Sequence, residues 1–286
     1  MADTKINDLP ENTTPALIDL LALVNDPTGT PATEKLTIQD LSNLILADGY
    51  VQCTKTLVYA AADDPSFTFT IADFDATTIF SAGMKLKLTN ATVKYFFITK
   101  VVFDDPGSTI TIYGGTDYDL VNDTISSPFY STQKAPLDFP MDPTKWTVEV
   151  TDNSNQTQAS PIITTWYNLG SLSITIPIGA WNVFYKVLGL IKKTLGSHRI
   201  WYEVTLSTAS DSESDEDWTC VEEIYPEASA EIIDYLMTST MEKPIILATK
   251  DVYYLTTRVV EPSGLTSVNF AGNQARTIFR AVCSYL

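Results

Sequence analysis

The 286-residue chain has few of the residues from which most enzyme active sites are built. It contains one histidine, His198, and three widely spaced cysteines, Cys53, Cys220 and Cys283. Their spacing matches neither a zinc site nor a thioredoxin-like pair, so we interpret the cysteines as buried apolar residues in a reducing compartment. Any Ser-His-Asp or Cys-His scheme would need His198, whose sequence neighbours are polar. No glycine-rich phosphate loop and no Gly-x-Ser-x-Gly motif occurs, so we expect a protein without catalytic activity.

Long apolar runs, repeats and basic charge are also scarce. No run of eighteen apolar residues and no apolar signal core is present, so the sequence predicts neither a membrane span nor a secretion leader. With 18 basic and 35 acidic residues the net charge is −17, which repels nucleic acid. A content of 44% hydrophobic and 11% aromatic residues excludes disorder and suffices for two ordinary domains. We therefore expect a globular protein assembled in a cytoplasm, with neither nucleic acid nor membrane as a partner.

The middle of the chain, residues 49–131, alternates apolar and polar side chains in short runs such as 67–71. Turn signals, including Asp-Asp-Pro-Gly at 104–107, separate these runs. One helical turn is predicted to start at Asp73 or Asp75. The pattern predicts a mainly β fold, with a small β-barrel or β-sandwich module over this range.

A proline-rich linker is predicted over residues 132–145, followed by a jelly-roll-like β-sandwich over 146–286. Two strands of this sandwich have strictly alternating apolar faces and are predicted to join as a hairpin with its tip at 195–198. The two faces are Trp181, Val183, Tyr185 and Val187, and Ile200, Tyr202, Val204 and Leu206.

Residues 1–48 form an apolar arm that is too short to build a core of its own. Thr37 and Asp40 fit a capping box at the start of a short amphipathic helix. Two interpretations remain open: the arm anchors the chain to another protein, or it packs back on its own domain. The candidate anchoring residues are Leu17, Leu20, Leu21, Leu23 and Val24 in the extended part, and Ile38, Leu41, Leu44 and Ile45 on the helix.

Several short motifs in the arm resemble the opening of tailed-bacteriophage virion proteins, which are identified mostly as tail fibres, tail spikes or minor structural components. They are Lys-Ile-Asn-Asp-Leu-Pro at 5–10, Thr-Thr-Pro at 13–15, Asp-Pro-Thr-Gly-Thr at 26–30 and Lys-Leu-Thr-Ile at 35–38. In those proteins such a leader resembles an anchor that ties the chain into the particle. The resemblance therefore implies virion anchoring through residues 1–48.

The middle and last parts of the chain carry looser resemblances to the same class. The runs at 83–89 and 92–97, the Gly-Gly-Thr-Asp-Tyr at 114–118 and the Ser-Pro-Phe-Tyr-Ser at 127–131 resemble a small β module of phage tail and minor virion proteins. The part after this module is similar to the C-terminal knobs that follow it in phage and prophage proteins. No catalytic residue is implied by either resemblance.

Together these resemblances imply a non-enzymatic virion structural protein, a tail fibre, adaptor or receptor-contacting component. The alternatives are a capsid decoration or head fibre protein, and a polysaccharide hydrolase of the phage tail with carboxylates that sequence alone does not pair. Expected partners are further copies in a homotrimer, and tail, collar or capsid proteins. Trp218 and Tyr225, beside an acidic run, are candidates to contact a host glycan or protein.

That acidic run holds ten acidic residues and no Lys or Arg between positions 211 and 234. Asp211, Glu213 and Asp215 have the alternating spacing of cation ligands in a calcium-binding loop. Counted from Asp211, Glu222 is at the twelfth position of this loop. Glu216 occupies the position where an EF-hand needs glycine, and strands rather than helices are predicted on both sides. The run is therefore either a calcium loop or a solvated acidic loop, and it could also meet the basic residues near the predicted hairpin tip across a subunit interface. No other cofactor is expected.

Overall fold

The computed structural model describes residues 20–25, 32–37, 49–194, 199–225, 233–260 and 264–286, with only the backbone described for 20–25, 32–37 and 233–235. These residues are mainly β-strand, which confirms the predicted fold class. In the described part of the chain, no helix is long and apolar enough to cross a membrane.

The strands form four antiparallel sheets, and single turns of 3-10 helix interrupt the loops between them. The strands are β1 (Leu20–Asn25), β2 (Ala32–Thr37), β3 (Val51–Gln52), β4 (Val58–Asp63), β5 (Ser66–Ile71), β6 (Lys85–Asn90), β7 (Thr92–Asp104), β8 (Gly107–Tyr113), β9 (Ser126–Ser131), β10 (Thr147–Asp152), β11 (Asn155–Ala159), β12 (Ser173–Ile176), β13 (Gly179–Lys193), β14 (Ile200–Ser207), β15 (Cys220–Ile224), β16 (Ile233–Leu247), β17 (Asp251–Val260), β18 (Leu265–Ala271) and β19 (Thr277–Cys283). The 3-10 turns are Ala76–Thr78, Pro143–Trp146, Leu169–Ser171 and Glu216–Trp218.

The middle module is one seven-stranded sheet in the order β3-β9-β6-β7-β8-β5-β4. The sheet does not close on itself, so the barrel alternative is wrong for this module. Alternation along the central strands puts every second side chain into one core. These buried residues are Phe67, Phe69, Ile71, Leu86, Leu88, Phe96, Ile98, Ile110 and Ile112.

The helical turn predicted in this module is confirmed as the 3-10 turn Ala76–Thr78. The side chain of Asp75 caps it by accepting a hydrogen bond from the amide of Thr77 at 3.0 Å. The hydroxyl of Ser108 on β8 accepts a hydrogen bond from the amide of Ala76 at 2.8 Å, which holds the turn against the sheet.

The last part of the chain is a sandwich of two sheets, as predicted. The four-stranded sheet has the order β12-β17-β14-β15. In the other sheet the 15-residue strand β13 pairs along its whole length with β16, and on its opposite edge with β19 and then β18. The strands β10 and β11 complete this six-stranded sheet beside β19 and β18. β13 is therefore the strand that holds the six-stranded sheet together.

The strands β13 and β14 have the apolar faces that the sequence predicts, but they do not pair as a hairpin. They belong to different sheets and face each other across the core, because each has a fully apolar side that must be buried. The hydroxyl of Tyr185 donates a hydrogen bond to the carbonyl of Val204 at 3.0 Å across this gap. A Cβ at Gly189 would come within 2.5 Å of the Tyr202 ring, so the glycine permits close packing of the two sheets. The predicted tip, 195–198, lies outside the described residues.

The core of the sandwich continues into the seven-stranded sheet through aromatic side chains. On β7, Phe96 faces the core of the middle module, and its neighbour Phe97 faces the core of the sandwich. The Trp146 ring is fully buried in the sandwich core, 4.7 Å from Phe97 and stacked on Phe139 at 5.4 Å with an interplanar angle of 9°. The indole N–H of Trp146 donates a hydrogen bond to the carbonyl of Pro140 at 2.6 Å. We call Phe97, Tyr113, Phe139, Trp146 and Trp181 the aromatic junction.

The end of the chain closes the same region. Lys85 on β6 donates a hydrogen bond from Nζ to the carbonyl of Tyr285 at 3.1 Å, and burial lowers the pKa of this lysine. The hydroxyl of Tyr285 accepts a hydrogen bond from the amide of Ala180 at 3.2 Å. The predicted linker, 132–145, thus runs beside a shared core. Whether 49–131 and 146–286 are separate folding units stays a prediction.

Replacing Trp146, the central side chain of the aromatic junction, tests how much the junction contributes to stability. We expect Trp146→Ala to lower the free energy of unfolding by about 3–5 kcal/mol, because a buried indole and its ring contacts are lost. Urea denaturation followed by circular dichroism measures this change. Ile162→Ala, at a side chain that is 68% exposed, serves as the control and should change stability by less than about 0.5 kcal/mol. A loss below about 1 kcal/mol for Trp146→Ala would contradict a shared core.

Buried ionisable groups predict weaker folding at alkaline pH. Burial raises the pKa of Cys283 to about 12 and holds the pKa values of Tyr113 and Tyr185 well above their ordinary range. Because the folded-state pKa values exceed the unfolded ones, this stabilisation is complete below about pH 8.5 and is lost as the pH rises toward the folded values. Each group adds a slope of up to about 1.4 kcal/mol per pH unit. Urea denaturation at pH 8, 10 and 11 should show stability falling, and Cys283→Ala should reduce the slope.

Candidate functional site

The predicted anchoring arm contains a β-hairpin. β1 carries Leu20, Leu21, Leu23 and Val24 and pairs with β2, with Leu21 opposite Leu36. Thr37 ends β2, and an extended backbone there is compatible with a helix N-cap. The other predicted anchoring residues, Leu17, Ile38, Leu41, Leu44 and Ile45, lie outside the described residues.

The hairpin forms a sheet of its own. Among the described strands, β1 pairs only with β2, and β2 only with β1. A two-stranded hairpin is marginally stable in water unless its apolar residues are covered by another surface. A strand of sequence Leu-Leu-Ala-Leu-Val-Asn therefore favours a hairpin that is stabilised by contact with something else.

The acidic loop is satisfied within its own chain. Asp211 Oδ1 accepts a hydrogen bond from the amide of Asn168 at 2.6 Å. Asp215 caps the turn Glu216–Trp218, and both it and Asp217 form ion pairs with Lys243, at 3.3 and 3.0 Å. The hydrogen bond to Asp217, followed by that to Asp215, raises the pKa of the Lys243 ammonium.

The other predicted calcium ligands point to the same conclusion. Glu213 accepts a hydrogen bond from Thr219 and lies 3.8 Å from the guanidinium of Arg258. Glu222 is on β15, opposite Tyr202 in the ladder with β14. Across the residues with described side chains, no group of three or more His, Cys, Asp or Glu is placed to hold a metal ion. The geometry therefore gives the calcium interpretation no support. Lys243 and Arg258 pair with the acidic loop within the chain, as Arg199 does with Glu223 of the same run, and contact across a subunit interface stays a prediction.

Trp218 is buried, with an exposed fraction of 2%, so the sequence placed it wrongly at the surface. Its ring lies 6.5 Å from that of Tyr253, and Lys243 Nζ lies 5.3 Å from its centroid. The carbonyl of Trp218 also lies 3.0 Å from the buried hydroxyl of Tyr185, whose one hydrogen is shared between this carbonyl and that of Val204. The turn Glu216–Trp218 thus closes one side of the sandwich core, and the structure does not support host contact by this tryptophan.

Tyr225, by contrast, is 65% exposed and belongs to a surface cluster. The guanidinium of Arg199 lies 5.2 Å from the Tyr225 ring and 5.1 Å from the Trp201 ring. Arg199 Nε also lies 2.5 Å from the carboxylate of Glu223, which stands opposite Trp201 in the ladder of β14 with β15. We call Arg199, Trp201, Glu223 and Tyr225 the aromatic platform. The sequence alternation along β14 indicates part of this platform: because Ile200 and Tyr202 face the core, Trp201 lies on the outer face.

A small cavity lies where the two halves of the chain meet. It has a volume of about 130 Å³ and is closed at one side by an ion pair between Lys250 and Asp63. Its lining is mostly apolar, with the buried hydroxyl of Ser66 among the few polar groups. A mostly apolar space of this size offers few polar partners to an ordered water.

The cysteines are not placed as nucleophiles. Cys53 and Cys283 are buried, Cys220 is half-buried, and none forms a disulfide. Burial is the main cause that raises the pKa of all three thiols, so the reactive thiolate is disfavoured. His198 lies outside the described residues.

Comparisons with known proteins give remote likenesses only. No protein-family model matches the chain, and no curated protein matches it. Latent PorU from Porphyromonas gingivalis is similar at 12% identity and a TM-score of 0.27, over 84% of this chain and 24% of that one. The VP2 subviral particle of infectious bursal disease virus aligns at 12% identity and a TM-score of 0.24, over 84% of this chain and 80% of that one. The T=1 particle derived from infectious bursal virus gives 11% identity and a TM-score of 0.22, over 84% of this chain and 78% of that one. At such TM-scores no function is transferred.

The burial of the thiols predicts a protein that resists alkylation. In the folded chain we expect less than one tenth of Cys53 and Cys283 to react with iodoacetamide at pH 7.5 under conditions that label an exposed thiol completely. In urea all three cysteines should react. Mass spectrometry of the intact protein counts the adducts, and Ser210→Cys in an exposed loop supplies the reactive control. Rapid labelling of Cys283 in the native protein would show that the thiols are accessible.

Proposed function

We propose that this chain is a non-enzymatic structural protein of a bacteriophage particle, a tail fibre or adaptor component anchored through residues 1–48. The observation that carries the proposal is the separate β1–β2 hairpin, whose apolar sequence pairs with no other described strand. The motifs at 5–10, 13–15, 26–30 and 35–38, which resemble virion leaders, lie around the same hairpin. In this proposal the particle supplies the surface that covers the arm, and the C-terminal sandwich faces outward.

The body of the chain supports a structural role. Its thiols are protonated by burial, and the acidic loop is paired with Lys243, Arg258 and backbone amides. Such groups stabilise a surface loop and leave no obvious general acid or base among them. The two halves share a core through the aromatic junction. This suits a structural component whose halves keep one arrangement rather than an enzyme whose halves open around a substrate.

We also propose that the protein assembles as a homotrimer. β16 is 15 residues long and, among the described strands, pairs on one edge only. Ile246 is 83% exposed on this strand, and Leu236 is also exposed. Pro244 interrupts the free edge, since proline offers no N–H to a further strand and so discourages open-ended pairing. Sedimentation velocity on the full chain measures the number of subunits.

Changing the arm in the full-length chain tests the anchor. We expect Leu21→Asp with Leu23→Asp to reduce incorporation into particles at least tenfold, because two charges would then be placed on the hairpin that the particle covers. Incorporation is measured by immunoblotting of purified particles, and immunogold labelling with antibody to residues 146–286 locates the chain on them. Ile162→Asp with Ile163→Asp, an equal change at two exposed side chains of the body, is the matched control and should incorporate normally.

Deletion of residues 1–48 separates anchoring from folding. The truncated chain should stay soluble and oligomeric, and it should be absent from particles. Aggregation or dissociation to monomers would mean that the arm belongs to the core, which contradicts the anchor. Gold over the head rather than the tail or collar would replace the tail-fibre assignment by a capsid decoration or head fibre.

A further inference from the structure

The aromatic platform is on the outer face of the four-stranded sheet, where the neighbouring strands β14 and β15 bring its residues together. Trp201 on β14 stands between Glu223 on β15 and Val260 on β17 in the two ladders. Residues opposite each other in a ladder share a face, so these side chains form one continuous surface. Tyr225 extends this surface beyond the end of β15.

The geometry of Arg199 fixes the platform. Its guanidinium lies near the Trp201 and Tyr225 rings at 5.1 and 5.2 Å, and its Nε contacts Glu223. One cation therefore positions two aromatic rings and a carboxylate. A guanidinium has five N–H groups, so donors remain for a ligand beside the contact with Glu223. Arg199 covers one face of each ring, and the ring surface that stays uncovered lies next to a hydrogen-bond donor and an acceptor.

The charges at this place cancel. Arg199 is paired with Glu223, and in the next row Arg258 on β17 is paired with Glu203 on β14. The whole chain carries a net charge of −17. A polyanion would find no net positive field here and would be repelled by the rest of the surface. The platform suits a neutral ligand that has both hydroxyl groups and an apolar face.

The size of the open surface distinguishes a small ligand from a protein. Beyond Glu203 the face is covered, because Arg258 lies 4.4 Å from the Trp166 ring and Thr256 donates a hydrogen bond to the carbonyl of Ser212. Three strands span about 10 Å, and residues 199–203 span about 14 Å. This area, roughly 140 Å², is far below the roughly 800 Å² that each partner buries in a stable protein–protein interface. It matches one or two sugar rings.

We propose that the aromatic platform of Arg199, Trp201, Glu223 and Tyr225 binds a neutral sugar unit of a surface glycan. The C–H face of a pyranose ring stacks on the aromatic rings, and its hydroxyls exchange hydrogen bonds with Arg199 and Glu223. The inference rests on the proposed function, because a sandwich exposed on a particle is the part of the chain that would meet such a glycan.

The test uses the full-length protein and a panel of methyl glycosides of glucose, galactose, mannose and N-acetylglucosamine. Saturation-transfer difference NMR detects binding, and titration gives the dissociation constant. We expect at least one neutral glycoside to bind, and Trp201→Ala and Tyr225→Ala each to weaken it at least tenfold. Arg199→Lys keeps the charge but loses the planar donor fork, so it should also weaken binding.

A second arginine–aromatic pair on the sandwich provides the matched control. The guanidinium of Arg280 lies 5.1 Å from the Phe184 ring on the six-stranded sheet, and Phe184→Ala should leave binding unchanged. Equal thermal midpoints for the platform variants and the parent chain exclude unfolding as the cause of lost binding.

The possible results distinguish the sugar-binding proposal from the proposed structural function. Absence of binding by every neutral glycoside, or tighter binding of glucuronic or N-acetylneuraminic acid, would overturn the sugar proposal. Loss of particle incorporation by Trp201→Ala without any glycan binding would also overturn it and make the platform a protein contact. If a glycoside binds through the platform while the chain is absent from particles, the sugar site stands and the proposed function fails.

Discussion

The burial of Trp146 is the constraint on which the rest of this molecule depends. Its ring touches Phe97 from the seven-stranded sheet and stacks on Phe139 from the connecting segment. Tyr113 joins the same cluster and contacts Trp181 of the sandwich at 5.0 Å. Because these rings come from distant parts of the sequence, the middle module supplies Phe97 and Tyr113 to the core of the sandwich. This cluster joins the sandwich to the middle module, together with the hydrogen bond from Lys85 to Tyr285 and the ion pair of Lys250 with Asp63.

Local sequence patterns predicted several of the strands and turns correctly. Alternation over 67–71 and the turn signal at 104–107 correspond to β5 and to the turn between β7 and β8. The capped turn after Asp75 is also where the sequence predicts it, because capping depends on neighbouring residues alone. The mainly β fold and the two-sheet sandwich could thus be read from residues close together in the chain.

Long-range partners could not be predicted in the same way. The apolar face of β13 was predicted correctly. That β13 lies opposite β14, in the other sheet, depends on how the two apolar faces bury each other. Trp218 lies in a polar stretch of the sequence but packs into the core. Asp215 and Asp217 share an ion pair with Lys243, which lies on a strand further along the chain. Of the candidate site, Tyr225 was found from sequence. Arg199, Trp201 and Glu223 required the register between β14 and β15.

The aromatic junction has a consequence for how such a protein can diversify by exchange of segments. A crossover within the linker would separate Phe97 and Tyr113 from Trp146 and Trp181, so a foreign half would arrive with a mismatched set of rings. Lys85 would likewise lose the Tyr285 carbonyl to which it donates. Viable hybrids should therefore inherit everything from the middle module to the chain end as one block. Under the proposed function, the point for shuffling is earlier, near residue 49, because the arm can then change together with the surface that it binds while the body stays intact.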